Sequence, residues 1–297
     1  MKKTFITLIY KEKDMNKSIN YCRKFKALSF TFLLSFTLSC LHAYAVEESN
    51  IGTTQQETKI VDVVKINPAA VDILFSNHQR MTLDFYGENI FRMFQDNSGR
   101  MLRDPEAKPE AKILVSQPRR DVSQLDVINN AGSVSITTGK IKVEFDKNTT
   151  LMKVTNLETG TTVLEQAEPI LFDKERVTLK LKETPQEYFF GGGVQNGRFS
   201  HKGKMISIEN QNSWTDGGVA SPNPYYWSTG GYGLMWYTFK RGVYDFGREE
   251  KGIVKLFHQT TYLDLFIMVS DGAVPLLNDY YQLTGHPVLV PKFGFYQ

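Results

Sequence analysis

The strongest constraint on the fold is a period of two. Val134-Ser135-Ile136-Thr137, Ile141-Lys142-Val143-Glu144-Phe145 and Val177-Thr178-Leu179-Lys180-Leu181 each alternate apolar and polar residues. Successive side chains of a strand point to opposite faces, so these runs predict strands with one face in a core and one in water. Gly139-Lys140 lies between the first two runs and predicts a tight hairpin; Asn156-Leu157-Glu158-Thr159-Gly160 predicts another turn. Tyr232–Phe239 and Tyr262–Val269 are richer in apolar residues and are expected to be more deeply buried strands. Many short strands with turn signals about 8–12 residues apart predict an all-β fold, a large antiparallel β-sandwich.

Two stretches depart from that texture. Residues 104–117 hold Pro105 and Pro109 among Glu and Lys and are expected to form an exposed loop. From Ser270 or Asp271 to Leu283 the pattern turns helical. It offers a capping residue, Pro275 in the first turn and apolar residues at 276, 277, 280 and 283, then Gly285 and Pro287 beyond the end. The sandwich is therefore placed at 60–272, and a helix with its linker at 273–297.

Charge has to be read after setting the N-terminus apart. Residues 1–45 combine a basic stretch, the apolar run Ala27–Leu38 and Ala43-Tyr44-Ala45, the layout of a cleaved signal peptide. Leu38-Ser39-Cys40 offers the alternative of a lipidated Cys40, so the expected location is periplasmic, or the outer membrane as a lipoprotein. Eight of the chain's Lys and Arg and two of its acids lie in this segment, a surplus of six; the whole chain is +3, so the remainder is −3. Nothing basic is left to suggest nucleic acid. Both cysteines, Cys22 and Cys40, also fall here, so the rest has neither a disulfide nor a thiolate metal site. Residues 46–59 are polar and aperiodic and read as a flexible leader.

Few residues beyond the leader carry recognisable chemistry. Gly191-Gly192-Gly193 lacks the Lys-Ser/Thr and the following helix of a phosphate loop. It reads instead as a strand end whose backbone passes close to something, whether protein or ligand. His78, His201, His258 and His286 show no metal-ligand spacing, and there is no HExxH or Gly-x-Ser-x-Gly. His201, in a polar turn-like stretch, is expected to be structural or at the surface. Asn210 to Asn223 is too polar and glycine-rich for a strand. It sets amides and a carboxylate beside an indole, the combination that stacks on a sugar's C–H face and hydrogen-bonds its hydroxyls. Thirty acids remain, none in a recognisable catalytic context; Asp216 is the one in that loop.

The order of motifs resembles the N-terminal domain of glycoside hydrolase family 31. The resemblance is carried by Phe190-Gly191-Gly192-Gly193, Pro224-Tyr225-Tyr226, Gly231-Tyr232-Gly233, Leu283-Thr284-Gly285-His286-Pro287 and Val290-Pro291-Lys292-Phe293. It is strongest from Tyr188 onward. It implies a sandwich similar to galactose mutarotase, followed in the family by a catalytic (β/α)8 barrel. The barrel would carry the aspartate nucleophile and acid, so no catalytic residue, cofactor or metal ligand is expected here. It further implies that the loop Gln211–Asn223 leans over the barrel mouth, with Asn212, Trp214, Asp216 and Tyr226 contacting an oligosaccharide or glycoside. The wording Gly193-Val194-Gln195-Asn196-Gly197-Arg198-Phe199-Ser200-His201 points to a branch acting on α-linked galactose-type or N-acetylated sugars. Two other readings stay open: a free-standing carbohydrate-binding module, and a mutarotase-like epimerase using His201, His258 and Glu209 as acid and base.

Overall fold

The structure, a computed structural model, describes residues 58–97, 113–197, 199–211, 215 and 218–291. The expected signal segment, the leader up to residue 57, most of the 104–117 loop and residues 292–297 lie outside them. All described residues belong to one compact unit, Gln56–Gln297.

Three antiparallel sheets form the unit. The largest has eight strands in the order β1 (Ile60–Asn67), β2 (Ala70–Phe75), β3 (Arg80–Gly87), β4 (Ile90–Asp96), β18 (Tyr262–Val269), β15 (Tyr232–Trp236), β14 (Val219–Ser228) and β12 (Phe189–Gln195). A five-stranded sheet runs β5 (Asp126–Asn129), β6 (Ser133–Thr137), β7 (Ile141–Asp146), β8 (Met152–Asn156) and β9 (Thr161–Glu165). The other runs β10 (Leu171–Phe172), β11 (Val177–Lys182), β17 (Ile253–His258), β16 (Gly242–Phe246) and β13 (Met205–Ile208). A bridge between Gln166 and Leu181 joins the two five-stranded sheets.

The alternating runs become these strands for the reason their pattern gives. Val134, Ile136, Ile141, Val143 and Phe145 are buried while Ser133, Ser135, Lys142 and Glu144 face outward. They pack with Val71, Ile73, Leu83, Leu179, Leu234, Trp236, Leu256 and Leu265 into one core shared by all three sheets. At about 25 cal/mol per Å² of apolar surface removed from water, that layer is the main stabilising term. The hairpin forms at residues 138–140, with Thr138 N–H donating to the Ile141 carbonyl at 2.9 Å.

β18 is buried along nearly its whole length because both of its faces are covered. Leu263, Leu265, Ile267 and Val269 enter the shared core. Phe266 and Met268 lie on the outer face, in a second cluster with Tyr86, Ile90, Tyr225, Met235, Leu276 and Leu283. Leu276 and Leu283 come from the helix α1 (Ala273–Thr284). On the same outer face, buried Arg92 of β4 makes a forked pair with Asp264 of β18 at 2.7 and 2.8 Å. β15 ends at Trp236 rather than Phe239: Tyr237 N–H donates to the Asp264 carbonyl, and Phe239 is exposed.

The helix has a different cap from the expected one. Gly272 holds the N-cap position with φ 96° and no side chain caps it. The Ser270 hydroxyl instead donates to the buried Asp279 carboxylate at 2.6 Å, which also accepts from Asn89 Nδ2 at 2.9 Å. At the other end Gly285, φ 86°, donates its N–H to the Tyr281 carbonyl, as the glycine there predicts. Leu277 does not join the buried stripe; it is exposed.

Candidate functional site

The segment around the suspected loop is built on two strands at the edge of the large sheet. β12 pairs with β14 through Phe189↔Ser228, Phe190↔Trp227 and Gly191↔Tyr226, then slips between Gly191 and Gly193. Gly191, Gly192 and Gly193 have φ of 110°, 74° and 78°, a left-handed run that side chains resist. A Cβ on Gly191 would stand 2.8 Å from the Tyr225 carbonyl oxygen, and one on Gly193 would stand 2.6 Å from Asn223 N and overlap the Ser221 carbonyl. Gly191 and Gly193 therefore serve a close backbone approach to β14, while a Cβ on Gly192 would run into the Ile206 side chain of β13.

His201 secures the other side of the same strand. It is 1% exposed; its N–H donates to the Phe189 carbonyl at 2.9 Å and its Nε2 lies 2.8 Å from the Gly191 carbonyl. Its ring stacks on Phe246. His258 is 0% exposed, with Nδ1 donating to the Lys240 carbonyl at 2.8 Å and Nε2 3.0 Å from Tyr244 Oη. Burial lowers its pKa to about 4, against the smaller opposing effect of the Lys240 hydrogen bond. Glu209 stands 3.7 Å from Arg241. Two histidines sealed in the core cannot exchange protons with a sugar in solvent, so their imagined role as acid and base of an epimerase is not supported by where they sit.

The expected loop 211–223 is shorter than its composition suggests, because residues 219–223 form the start of β14, the strand that pairs with β12. The residues expected to touch substrate fare differently. Asn212, Trp214 and Asp216 lie outside the described residues. The feet of the loop are described: Asn196 N–H donates to the Gly218 carbonyl at 3.0 Å, and Gly218 N–H to the Thr215 carbonyl at 2.9 Å. Tyr226 requires a correction. It is 0% exposed, packed edge-on to Phe189, Tyr232, Tyr244 and Phe246 in the core. A ring without accessible surface contacts no sugar.

The outward-facing aromatics of this edge are its strand neighbours. Trp227 and Phe190, paired across the strands, stack at 4.6 Å; Phe199, 86% exposed, meets Phe190 edge-on at 5.5 Å. The signal was present in the sequence, since Phe190 and Trp227 alternate with the buried Phe189 and Tyr226. Only the pairing of β12 with β14 tells which of each pair faces out. Among the described residues no three His, Cys, Asp or Glu side chains are placed to hold a metal ion, and no helix is long and apolar enough to cross a membrane.

Comparison with known proteins places this architecture. No curated protein matches the chain. Among solved structures, a variant of a Flavobacterium johnsoniae family 31 dextranase complexed with isomaltotriose is similar, with a TM-score of 0.71 at 15% identity over 80% of this chain and 29% of its own. A family 31 α-xylosidase from a soil metagenome, complexed with xylose, gives 0.63 at 17% identity over 78% and 36%. A cycloalternan-forming enzyme from Listeria monocytogenes, in complex with a pentasaccharide substrate, gives 0.66 at 17% identity over 80% and 23%. At such identities the likeness speaks to fold, and this chain spans only about a quarter to a third of the length of these three. Residues 80–245, more than half of the chain, match the model of the glycosyl hydrolase 31 N-terminal galactose mutarotase-like domain, and the chain belongs to that family.

Proposed function

We propose that this chain is the N-terminal, pocket-shaping portion of an exported retaining α-glycosidase that hydrolyses O-glycosyl bonds. The observation that carries the reading is the family match over residues 80–245, which takes in the whole 211–218 loop. The sugars bound in the related solved enzymes support a carbohydrate substrate for the complete protein. Hydrolysis with retention needs two carboxyl groups about 5–5.5 Å apart, one as nucleophile and one as acid and base. In this reading both come from a barrel that the sandwich packs against, and the 297-residue chain alone is inactive. Asn212, Trp214 and Asp216 contact the sugar, Trp214 by stacking and the other two by hydrogen bonds to hydroxyls. No cofactor takes part.

Sequencing the coding DNA past the codon for Gln297 tests the first half of this reading. A frame that continues, directly or after a single-base shift, into a barrel with two suitably placed aspartates is expected. A true stop with no such sequence beyond it would sink the glycosidase and favour a free-standing carbohydrate-binding module. The second half is tested on the protein by titrating isomaltotriose and xylose. Trp214→Ala and Asp216→Ala are each expected to weaken binding by about tenfold, roughly 1.4 kcal/mol. Affinity unchanged in both would remove the loop from the site.

A further inference from the structure

Residues 221–225, within β14, are gripped from three sides. Gly191 and Gly193 of β12 close one side at backbone contact. From the inner side, Tyr244 Oη donates to the Pro224 carbonyl at 3.0 Å. From the outer side comes α1. Asn223 Nδ2 donates to Tyr280 Oη at 3.0 Å, while Asn223 Oδ1 accepts the Tyr225 N–H at 3.0 Å. The Tyr225 ring stacks on Tyr280 at 4.2 Å, and its hydroxyl donates to the Leu276 carbonyl at 3.2 Å.

The third grip differs in kind from the others. The first two act on backbone groups within the sandwich. The third passes through one amide side chain whose oxygen shapes its own turn and whose nitrogen reaches the helix. The helix does not need it for anchorage: buried Leu276 and Leu283, the Asn89–Asp279–Ser270 cluster, and Gln282 Nε2 bonded to the Tyr86 and Pro118 carbonyls already hold it. A half-buried hydrogen bond superfluous for holding the helix is still a geometric tie between the helix and the root of the loop.

We propose that Asn223 and Tyr280 are a positioning pair that sets where the foot of the loop, held by Asn196, Thr215 and Gly218, stands relative to α1. A shift of the helix is thereby passed to the foot at Gly218. The functional purpose rests on the reading of that loop as the sugar-contacting element. The tie itself rests only on the contacts above.

Tyr280→Phe removes the hydroxyl and keeps the ring stack; Asn223→Ala removes both bonds of the amide. Amide hydrogen exchange is read at Asn196 and Gly218, whose N–H groups close the foot of the loop, and at Leu234 and Ile267 in the central strands. Exchange at the foot should quicken about three- to tenfold in each variant, the scale of one net hydrogen bond. The double variant should be no faster than Asn223→Ala, and the central strands should be unchanged. Unchanged exchange at the foot in Tyr280→Phe overturns the proposal. Equal acceleration in the central strands does too, since the bond would then serve global stability alone. Should Asn223→Ala fail to fold, Tyr280→Phe decides by itself. If the foot loosens as expected but Trp214→Ala and Asp216→Ala both leave sugar binding by the complete enzyme unchanged, the positioning pair stands and the sugar-contact reading falls.

Discussion

One methyl group separates the two kinds of left-handed glycine in this chain. Gly193 (φ 78°) and Gly160 (φ 69°) share the same backbone region, but a Cβ on Gly160 meets nothing within 4 Å, whereas one on Gly193 overlaps β14. Gly160→Ala is expected to cost about 1–2 kcal/mol, the strain of the conformation alone. Gly193→Ala adds a backbone clash that rotamer changes cannot relieve and should cost about 3 kcal/mol or more, with the β12–β14 pairing loosened. Urea midpoints of the two variants check this; equal losses would mean that β14 yields freely. Gly191-Gly192-Gly193 announces a close approach but not its partner. The partner lies some thirty residues on, and nothing local encodes it. The assignment of Tyr226 failed for a related reason. In Pro224-Tyr225-Tyr226-Trp227 alternate rings face opposite sides, and the sequence does not say which side is the core.

Elements were legible to the degree that their pattern was local. The hairpin at Gly139-Lys140 follows from its own residues, and so does the turn before Gly160, whose φ of 69° only glycine adopts readily. α1 was readable from Pro275 and Gly285, but its cap was not, because the Ser270 hydroxyl answers to Asp279 and Asn89 rather than to the helix N-terminus. The helix earns its place through two leucines, both 0% exposed against the outer face of β15 and β18. Leu283→Ala should therefore cost about 2–5 kcal/mol by transfer and cavity terms together. Val274, 69% exposed on the same helix, should change stability by less than about 0.5 kcal/mol when cut to alanine. Thermal unfolding of the pair measures the difference. A Leu283→Ala protein as stable as Val274→Ala would show that the helix contributes nothing to the sandwich.

At the scale of the whole molecule the alternating pattern specified faces but not neighbours. It could not show that β4 lies beside β18, a pairing across some 170 residues that places Arg92 on Asp264. The response to acid is decided by a second closure, nearer in sequence, in which His258 of β17 is sealed between Trp236, Tyr244 and the Lys240 carbonyl. With a folded pKa of about 4 against 6.5 for the free side chain, the folded state refuses a proton that the unfolded chain accepts. The stability this implies is complete above pH 6.5 and is lost as pH falls from 6.5 to about 4, by roughly 3 kcal/mol. Three carboxylates modulate the response, in two senses; Asp146 is lowered by hydrogen bonds from Thr149 and Asn148 and its contribution is lost in acid. Burial holds the Asp279 pKa up, despite hydrogen bonds from Ser270 and Asn89, so its penalty is relieved as pH falls. Glu88 is lowered: burial works to raise it but is outweighed by hydrogen bonds from Ser123 and Gly139, so its contribution is lost in acid. Glu88 and Asp146 act below the ordinary carboxylate range, so above it His258 lowers stability as pH falls and Asp279 opposes it. Urea unfolding at intervals of half a pH unit should show stability falling between pH 6.5 and 5. His258→Gln, which takes up no proton, should be less stable at pH 7 but lose less stability than the wild type between 6.5 and 5. A variant that keeps the wild-type slope would mean that acid enters the fold elsewhere and that the buried imidazole is not its point of attack.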